Sequence, residues 1–193
     1  NELHSRGFNV VLILRYKKGE YLKEVNPGVK VVELDADSPF GVVFRLIQEC
    51  KKYKVSTLLS VTRYMNLLAL IANTFLKIRL IIREANTLDE FFHDYNFIDK
   101  IKYEILFFLM NNLYKKSDAI IANSKDTSDD LKKYLIGIEK KISIIHNPLE
   151  LKRIQKLSTE ALPEHFIKLS SPKIISVGRL VYQKNFELLI NAF

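Results

Sequence analysis

Two cations near the end of the sequence have the type and spacing to do chemistry. In KIISVGRLVYQKNFELLINAF, residues 173–193, the β-branched run Ile174–Val177 predicts a strand, and an amphipathic helix is predicted to follow. Gly178 lets the backbone turn tightly between them. Arg179 then projects from the strand's carboxyl end, the side on which open α/β sheets bind ligands. Lys184 stands just before the helix, so the two side chains can converge on one anion near a helix N-terminus, the ingredients of a diphosphate site. The competing reading is of two exposed surface cations on a basic protein.

Elsewhere the sequence is poor in catalytic patterns. No Walker A sequence is present, no Gly-x-Gly-x-x-Gly follows a strand, and Gly makes up only 6 of 193 residues. His4, His93, His146 and His165 are scattered without metal-ligand spacing, so neither a metal nor any other cofactor is expected. There is no Gly-x-Ser-x-Gly elbow. Ser124 and Ser128 read as helix-start residues rather than nucleophiles. Asp126, Asp129 and Asp130 fall in a helix's first turn, where the macrodipole favours carboxylates. The lone Cys50 excludes an intrachain disulfide and fits a reducing, cytosolic setting.

The elements that must position these residues alternate along the chain. Val10–Leu14, Val29–Leu34, Val55–Val61, Leu80–Ile82, Ala119–Ala122 and Ile142–Ile145 read as strands, the first as a run covered on both faces. Helical periodicity lies between them. It runs from about Val42 to Tyr53 (presenting Phe44, Ile47 and Cys50), over Asn66–Phe75, from roughly Phe97 to Lys116, and over Asp126–Leu135, stopped at Gly137. In the Phe97–Lys116 helix, Ile101, Ile105, Phe108 and Leu109 form one stripe. Asn1–Gly7 reads as the end of a helix with Gly7 at the stop. Such alternation predicts an α/β fold, a Rossmann-like doubly wound parallel sheet, because parallel neighbours need crossover helices. The segment Leu151–Ser171 is less periodic and reads as a linker with short helices, and the final strand and helix begin at Lys173.

Hydrophobic residues are 48% and charged ones 27% of the chain, which is ordinary globular material rather than disorder. No apolar run reaches the roughly 18–20 residues that span a bilayer. The net charge of +8, from 30 Lys+Arg against 22 Asp+Glu, favours anionic partners such as phosphorylated metabolites, an anionic membrane face or nucleic acid. Its basic residues come in dispersed pairs, and no aromatic-basic recognition motif supports nucleic acid.

Four stretches, in order, resemble retaining glycosyltransferases of the GT-B fold, family four. VGRLVYQKNFELLINAF (residues 177–193) is similar to the family's strand, Gly-Arg-Leu, Gln-Lys-Gly and Leu-rich helix ending Ala-Phe, with Asn185 in place of the last Gly. KKSDAIIANS (115–124), KISIIHNPLE (141–150) and ELHSRGFNVVLIL (2–14) resemble its Ser-ending strand, its Asn-Pro-ending strand, and its first helix with the strand that follows. The resemblance implies two facing Rossmann-like domains divided at 165/166, residues 1–165 binding the acceptor and residues 166–193 being the first strand and helix of a second Rossmann-like domain that binds a nucleotide sugar. It implies that Arg179 and Lys184, beside Gly178, neutralise the donor's diphosphate, and that Asn147-Pro148 lies where the domains meet. It also implies that a first strand with its Gly-rich turn, and most of the donor domain with a Glu-x₇-Glu element, lie outside the chain, leaving an inactive fragment.

There are departures from the family pattern. Many members carry a His facing the reacting sugar; here Ala85 in IIREANT (81–87) takes that position. Arg83, Glu84 and Asn86 are candidates to line the acceptor cleft, and His93 is either a substitute or a surface loop His. The function implied is sugar transfer from a UDP- or GDP-linked nucleotide sugar to a saccharide or lipid-linked acceptor in cell-surface polysaccharide, lipopolysaccharide or glycolipid synthesis. The expected setting is cytoplasmic, peripheral at the inner face of the plasma membrane. The Lys- and aromatic-rich Phe97–Lys116 helix fits membrane contact, against the alternative of an ordinary core helix. A non-catalytic Rossmann-like subunit supporting a partner enzyme is the second reading. A nucleic-acid-binding protein, with steeply salt-dependent binding, is the third.

Overall fold

The computed structural model describes residues 1–88, 97–164, 168, 173–181 and 184–193, excluding the side chains of 97–100 and 102. His93, His165, Gln183 and the stretch at the expected 165/166 division lie outside the described residues. The chain forms two compact units, Asn1–Asn147 and Pro148–Phe193.

The first unit opens on α1 (Glu2–Ser5). Its end is a Schellman turn in which Phe8 N donates to Leu3 O at 3.1 Å and Gly7 N to His4 O at 2.9 Å, with Gly7 at φ +84° as its position predicts. β1 (Val11–Leu14) and β2 (Lys30–Glu33) pair in parallel, Leu12 opposite Val31. α2 (Pro39–Lys52), β3 (Thr57–Val61), α3 (Arg63–Leu76), β4 (Arg79–Glu84), α4 (Phe97–Leu113), β5 (Ala119–Ala122), α5 (Lys125–Tyr134) and β6 (Ile142–Ile144) follow. β3, β4, β5 and β6 form a second parallel sheet in chain order, so among the described residues β1 and β2 of the first sheet and β3 and β6 of the second each have one paired edge. Helix crossovers between parallel strands make this the Rossmann-like α/β architecture expected.

One face of the larger sheet is the core. Leu80 and Ile82 of β4 and Ile120 and Ala122 of β5 are fully buried, in one cluster with Leu70 of α3, Met110 of α4 and Leu131 of α5. On the opposite face Leu59 and Val61 of β3 are 48% and 41% exposed, and Val11–Leu14, within the run expected to be covered on both faces, is only half-buried. The neighbours of Leu59 and Val61 alternate: Leu80, Ile82 and Glu84 point inward along β4 while Arg79 points out.

Three helix readings change. α2 begins earlier than its apolar period suggests, since Ser38 caps it by accepting Gly41 N at 3.1 Å and Pro39 fills the first turn. Its buried face is Val42, Leu46 and Cys50, spaced by four, whereas Phe44 is exposed. On α4 three of the four residues of the predicted stripe lie on the outer face, and the fourth, Leu109, packs inward. Ile101, Ile105 and Phe108 are 46%, 56% and 67% exposed, while Leu106, Phe107, Leu109 and Leu113 pack on the core beside buried Met110. The helix carries apolar residues over two faces, so a period count could not say which is buried. Among the described residues no helix is long and apolar enough to cross a membrane.

In the second unit, α6 (Leu151–Ser158) and α7 (Phe186–Asn191) are helices. Ile174–Val177, read as a strand, belongs to no ladder, and Ile174, Ile175 and Val177 are exposed. A strand is stabilised by cross-strand pairs, and no partner strand stands beside it among the described residues.

Candidate functional site

In the first unit the polar residues gather at the carboxyl ends of the strands. After β1, Arg15 donates from Nε to Ala36 O at 3.0 Å and from its terminal nitrogen to Asp37 O at 2.5 Å, both beyond β2. Its guanidinium lies 5.7 Å from the ring centroid of Tyr64, at the start of α3, so one cation ties the two sheets together. Tyr16 donates to Asp37 Oδ1, and that hydrogen bond chiefly raises the phenol above its ordinary pKa.

Glu84, at the end of β4, is 1% exposed and turned into the unit. Its Oε1 accepts from Tyr114 Oη at 2.5 Å and from Asn66 Nδ2 at 2.8 Å, and Arg63 Nε lies 3.4 Å from Oε2. Burial first, and the Glu84 charge second, hold the Tyr114 hydroxyl well above its usual pKa, which keeps it a donor. A carboxylate enclosed this way organises the interior, and its oxygens do not face a cleft.

Arg83, one residue earlier, faces the other way along the strand and donates to Asn147 Oδ1. The structure thus brings together Arg83 and Asn147, which sequence reasoning had placed in separate roles. Asn86 is exposed, and its carbonyl accepts from an Arg63 terminal nitrogen at 3.1 Å. Ala85 is exposed as well. Pro148 is the first residue of the second unit. His146 lies beside Asn123 O at 3.1 Å. Among the described residues no three His, Cys, Asp or Glu side chains gather as a metal site.

Three residues at this edge escaped sequence reasoning. Arg63 donates to the carbonyls of both Asn86 and Thr87 at 3.1 Å. Asn123 Nδ2 donates to Ala85 O at 3.0 Å. Asp130, read as a first-turn carboxylate, is buried one turn further along α5 and accepts from Leu88 N. The helical period did hold a signal for it, since Thr127, Asp130 and Leu131 share the buried face. Ser124 caps α5, accepting Thr127 N at 3.1 Å, whereas Ser128 is buried within the helix. Thr62, just before Arg63, has φ +80° and ψ 138°, a region β-branched residues scarcely enter.

In the second unit Gly178 is a point of close approach. A Cβ there would meet Lys184 Cγ and Phe186 Cζ at 3.3 Å each, so the missing side chain lets the Lys184 stem lie on the residue preceding Arg179. Val181 N donates to Arg179 O at 2.8 Å and Lys184 N to Val181 O at 2.9 Å. Both side chains are exposed. Asn185 has φ +46° and ψ 45°, and its Oδ1 accepts Leu188 N at 3.3 Å. Asn is the residue other than Gly that enters this left-handed region most readily. The departure from the Gln-Lys-Gly pattern therefore keeps the backbone shape and adds a helix cap.

The profile of Glycosyltransferase Family 4 matches residues 1–153. The chain is 32% identical over 169 residues to N-acetylgalactosamine-N,N'-diacetylbacillosaminyl-diphospho-undecaprenol 4-alpha-N-acetylgalactosaminyltransferase of Campylobacter jejuni, a match covering 87% of this chain and 42% of that enzyme. Among solved structures it is similar to Anabaena HepE in complex with UDP-glucose, at TM-score 0.55 and 16% identity over 77% of this chain and 42% of that one. A glycosyltransferase from Rickettsia africae gives TM-score 0.54 and 17% identity over 88% of this chain and 44% of that one. The structural likenesses bear on the fold. The chain spans less than half the length of each of these proteins.

Proposed function

This chain belongs to Glycosyltransferase Family 4, and from that membership we propose that it is the acceptor-side part of a retaining sugar transferase. The enzyme would take a nucleotide sugar, UDP- or GDP-linked, and pass the sugar to a saccharide or lipid-linked acceptor during cell-surface polysaccharide, lipopolysaccharide or glycolipid synthesis. The observation that carries this is the family match over residues 1–153. The lipid-linked acceptor rests on the Campylobacter enzyme, whose name specifies a diphospho-undecaprenol substrate.

In this reading the first unit presents Arg83, Asn86 and Asn147 to the acceptor, with Pro148 beginning the passage to the donor side. Residues 166–193 open the donor domain. As the glycosidic bond breaks, the leaving nucleoside diphosphate gains negative charge. Arg179 and Lys184 stabilise that charge more in the transition state than in the ground state. Gly178 admits the Lys184 stem against the residue that precedes Arg179, which supports the pair acting on one diphosphate. The bare stripe Ile101, Ile105 and Phe108 on α4, on a chain of net charge +8, supports peripheral contact with an anionic cytoplasmic leaflet, where a lipid-linked acceptor resides.

The test is transfer by the whole protein from UDP- and GDP-linked sugars to an undecaprenyl-diphosphate saccharide, with anomeric configuration read by NMR. Retention is expected, and no turnover by residues 1–193 alone. Absence of transfer from every donor, or an inverted product, overturns the reading.

A further inference from the structure

Loop 85–88, which follows β4 at the carboxyl edge of the sheet, is held through its backbone by side chains that precede or follow it by twenty residues or more. Asn123 donates to Ala85 O, Arg63 donates to the carbonyls of Asn86 and Thr87, and Asp130 accepts from Leu88 N. Each loop residue therefore has one backbone group fixed, while the side chains of Ala85 and Asn86 stay exposed. Arg63 is the centre of this arrangement. Its side chain is 14% exposed, it lies against the buried Glu84 carboxylate, and it follows Thr62, whose backbone sits in a scarcely populated region. Strained residues persist where surrounding structure over-determines them, and such sites cluster at ligand-binding positions. A single guanidinium is suited to this task because its planar fork can serve a carboxylate and two carbonyls at once, which an ammonium cannot do in the same geometry.

Burying a charge pair is costly, and an apolar pair could fill the same volume. What the pair adds here is a fixed loop with an outward face. We propose that Arg63 is a positioning residue, held by Glu84, that locks the backbone of loop 85–88 so that Ala85 and Asn86 are presented to the acceptor in one arrangement. This rests on the reading of the first unit as the acceptor side. Arg63 acts through the loop and does not touch the reacting atoms. Pre-fixing the loop removes ordering that acceptor binding would otherwise have to supply.

The experiment compares Arg63→Lys and Asn123→Ala with the parent in the whole protein, by steady-state kinetics and by amide hydrogen exchange at Leu88. The lysine keeps the charge but cannot reach both carbonyls and Glu84. Acceptor KM should rise about tenfold in Arg63→Lys, within the range that small misplacements produce, and about threefold in Asn123→Ala. Donor KM and kcat at saturating acceptor should stay within about twofold, and Leu88 exchange should quicken in both. Unchanged acceptor KM in both variants overturns the proposal, as does a parallel loss of donor KM, kcat and melting temperature, which is the mark of a merely structural role. If the parent transfers no sugar, the enzymatic reading fails by itself. Leu88 exchange then decides whether Arg63 locks the loop, and an unchanged rate in Arg63→Lys rejects it.

Discussion

Loop 85–88 and the turn from Gly178 to Lys184 carry the two groups of candidate residues, and they are held in opposite ways. The loop is fixed by side chains from α3, α5 and the segment after β5, all distant in sequence. The turn is fixed by backbone bonds between near neighbours and by the absence of a side chain at Gly178. Rigidity in the first is tertiary and in the second local. Each arrangement suits its proposed partner. A saccharide acceptor is recognised by shape and many hydrogen bonds, which calls for a preformed surface, whereas a diphosphate needs two cations at the right separation.

The contrast can be broken by mutation. Glu84→Ala should remove about 3–5 kcal/mol of stability from the first unit, because it strands a buried guanidinium and two buried donors; urea unfolding measures it. A loss below about 1 kcal/mol would mean the interior network is not what holds the edge together. Arg179→Ala should do the reverse, lowering kcat in the whole protein by about 10²–10³-fold while leaving the melting temperature alone. Its side chain is exposed, so a marked drop in melting temperature would assign it a structural task instead.

Titration supplies a third measurement, from a residue in neither segment. Burial pushes the Cys50 thiol up to about 11 from an ordinary 9.0. The folded state thus favours the neutral thiol, so its contribution is intact below about pH 9 and is lost as pH rises toward 11, amounting to about 2–3 kcal/mol. Tyr114 acts in the same direction, since its phenol is also raised. Cys50→Ala should flatten part of the alkaline fall in unfolding free energy, and an unchanged pH profile would rule the thiol out. The smallest effect is expected at Asn185. Replacement by Gly keeps the left-handed backbone and loses only the cap to Leu188, so the stability change should stay within a few tenths of a kcal/mol, with α7 helicity checked by NMR shifts.

The same distinction explains what could be read in the sequence. Strand and helix order in the first unit was legible because β-branched runs and helical periods are local signals, whereas Ile174–Val177 had the signal and forms no strand. The close approach of Lys184 to Gly178 was legible because the two lie within seven consecutive residues. Arg63, Asn123 and Asp130 were not, because their partners lie 24, 38 and 42 residues away. Nothing in the local pattern distinguishes Arg63 from a surface arginine at a helix start. Glu84 was read with Arg83 and Asn86 as a cleft residue, but it is buried, and the sequence could not say on which side of β4 it falls. That depended on register, which a one-residue slip inverts. On α4 the stripe was visible and its direction was not, since apolar residues occupy two faces of the helix.

The outer edges of β1 and β2, and of β3 and β6, which take no further partner among the described residues, have a practical consequence. Each displays a row of amide donors and carbonyl acceptors, and β3 adds Leu59 and Val61 on its bare face. Edges of this kind are templates on which another copy can zip itself. Produced as residues 1–193, the polypeptide should therefore change its hydrodynamic size with concentration, and its shelf life will be set by how dilute it is kept.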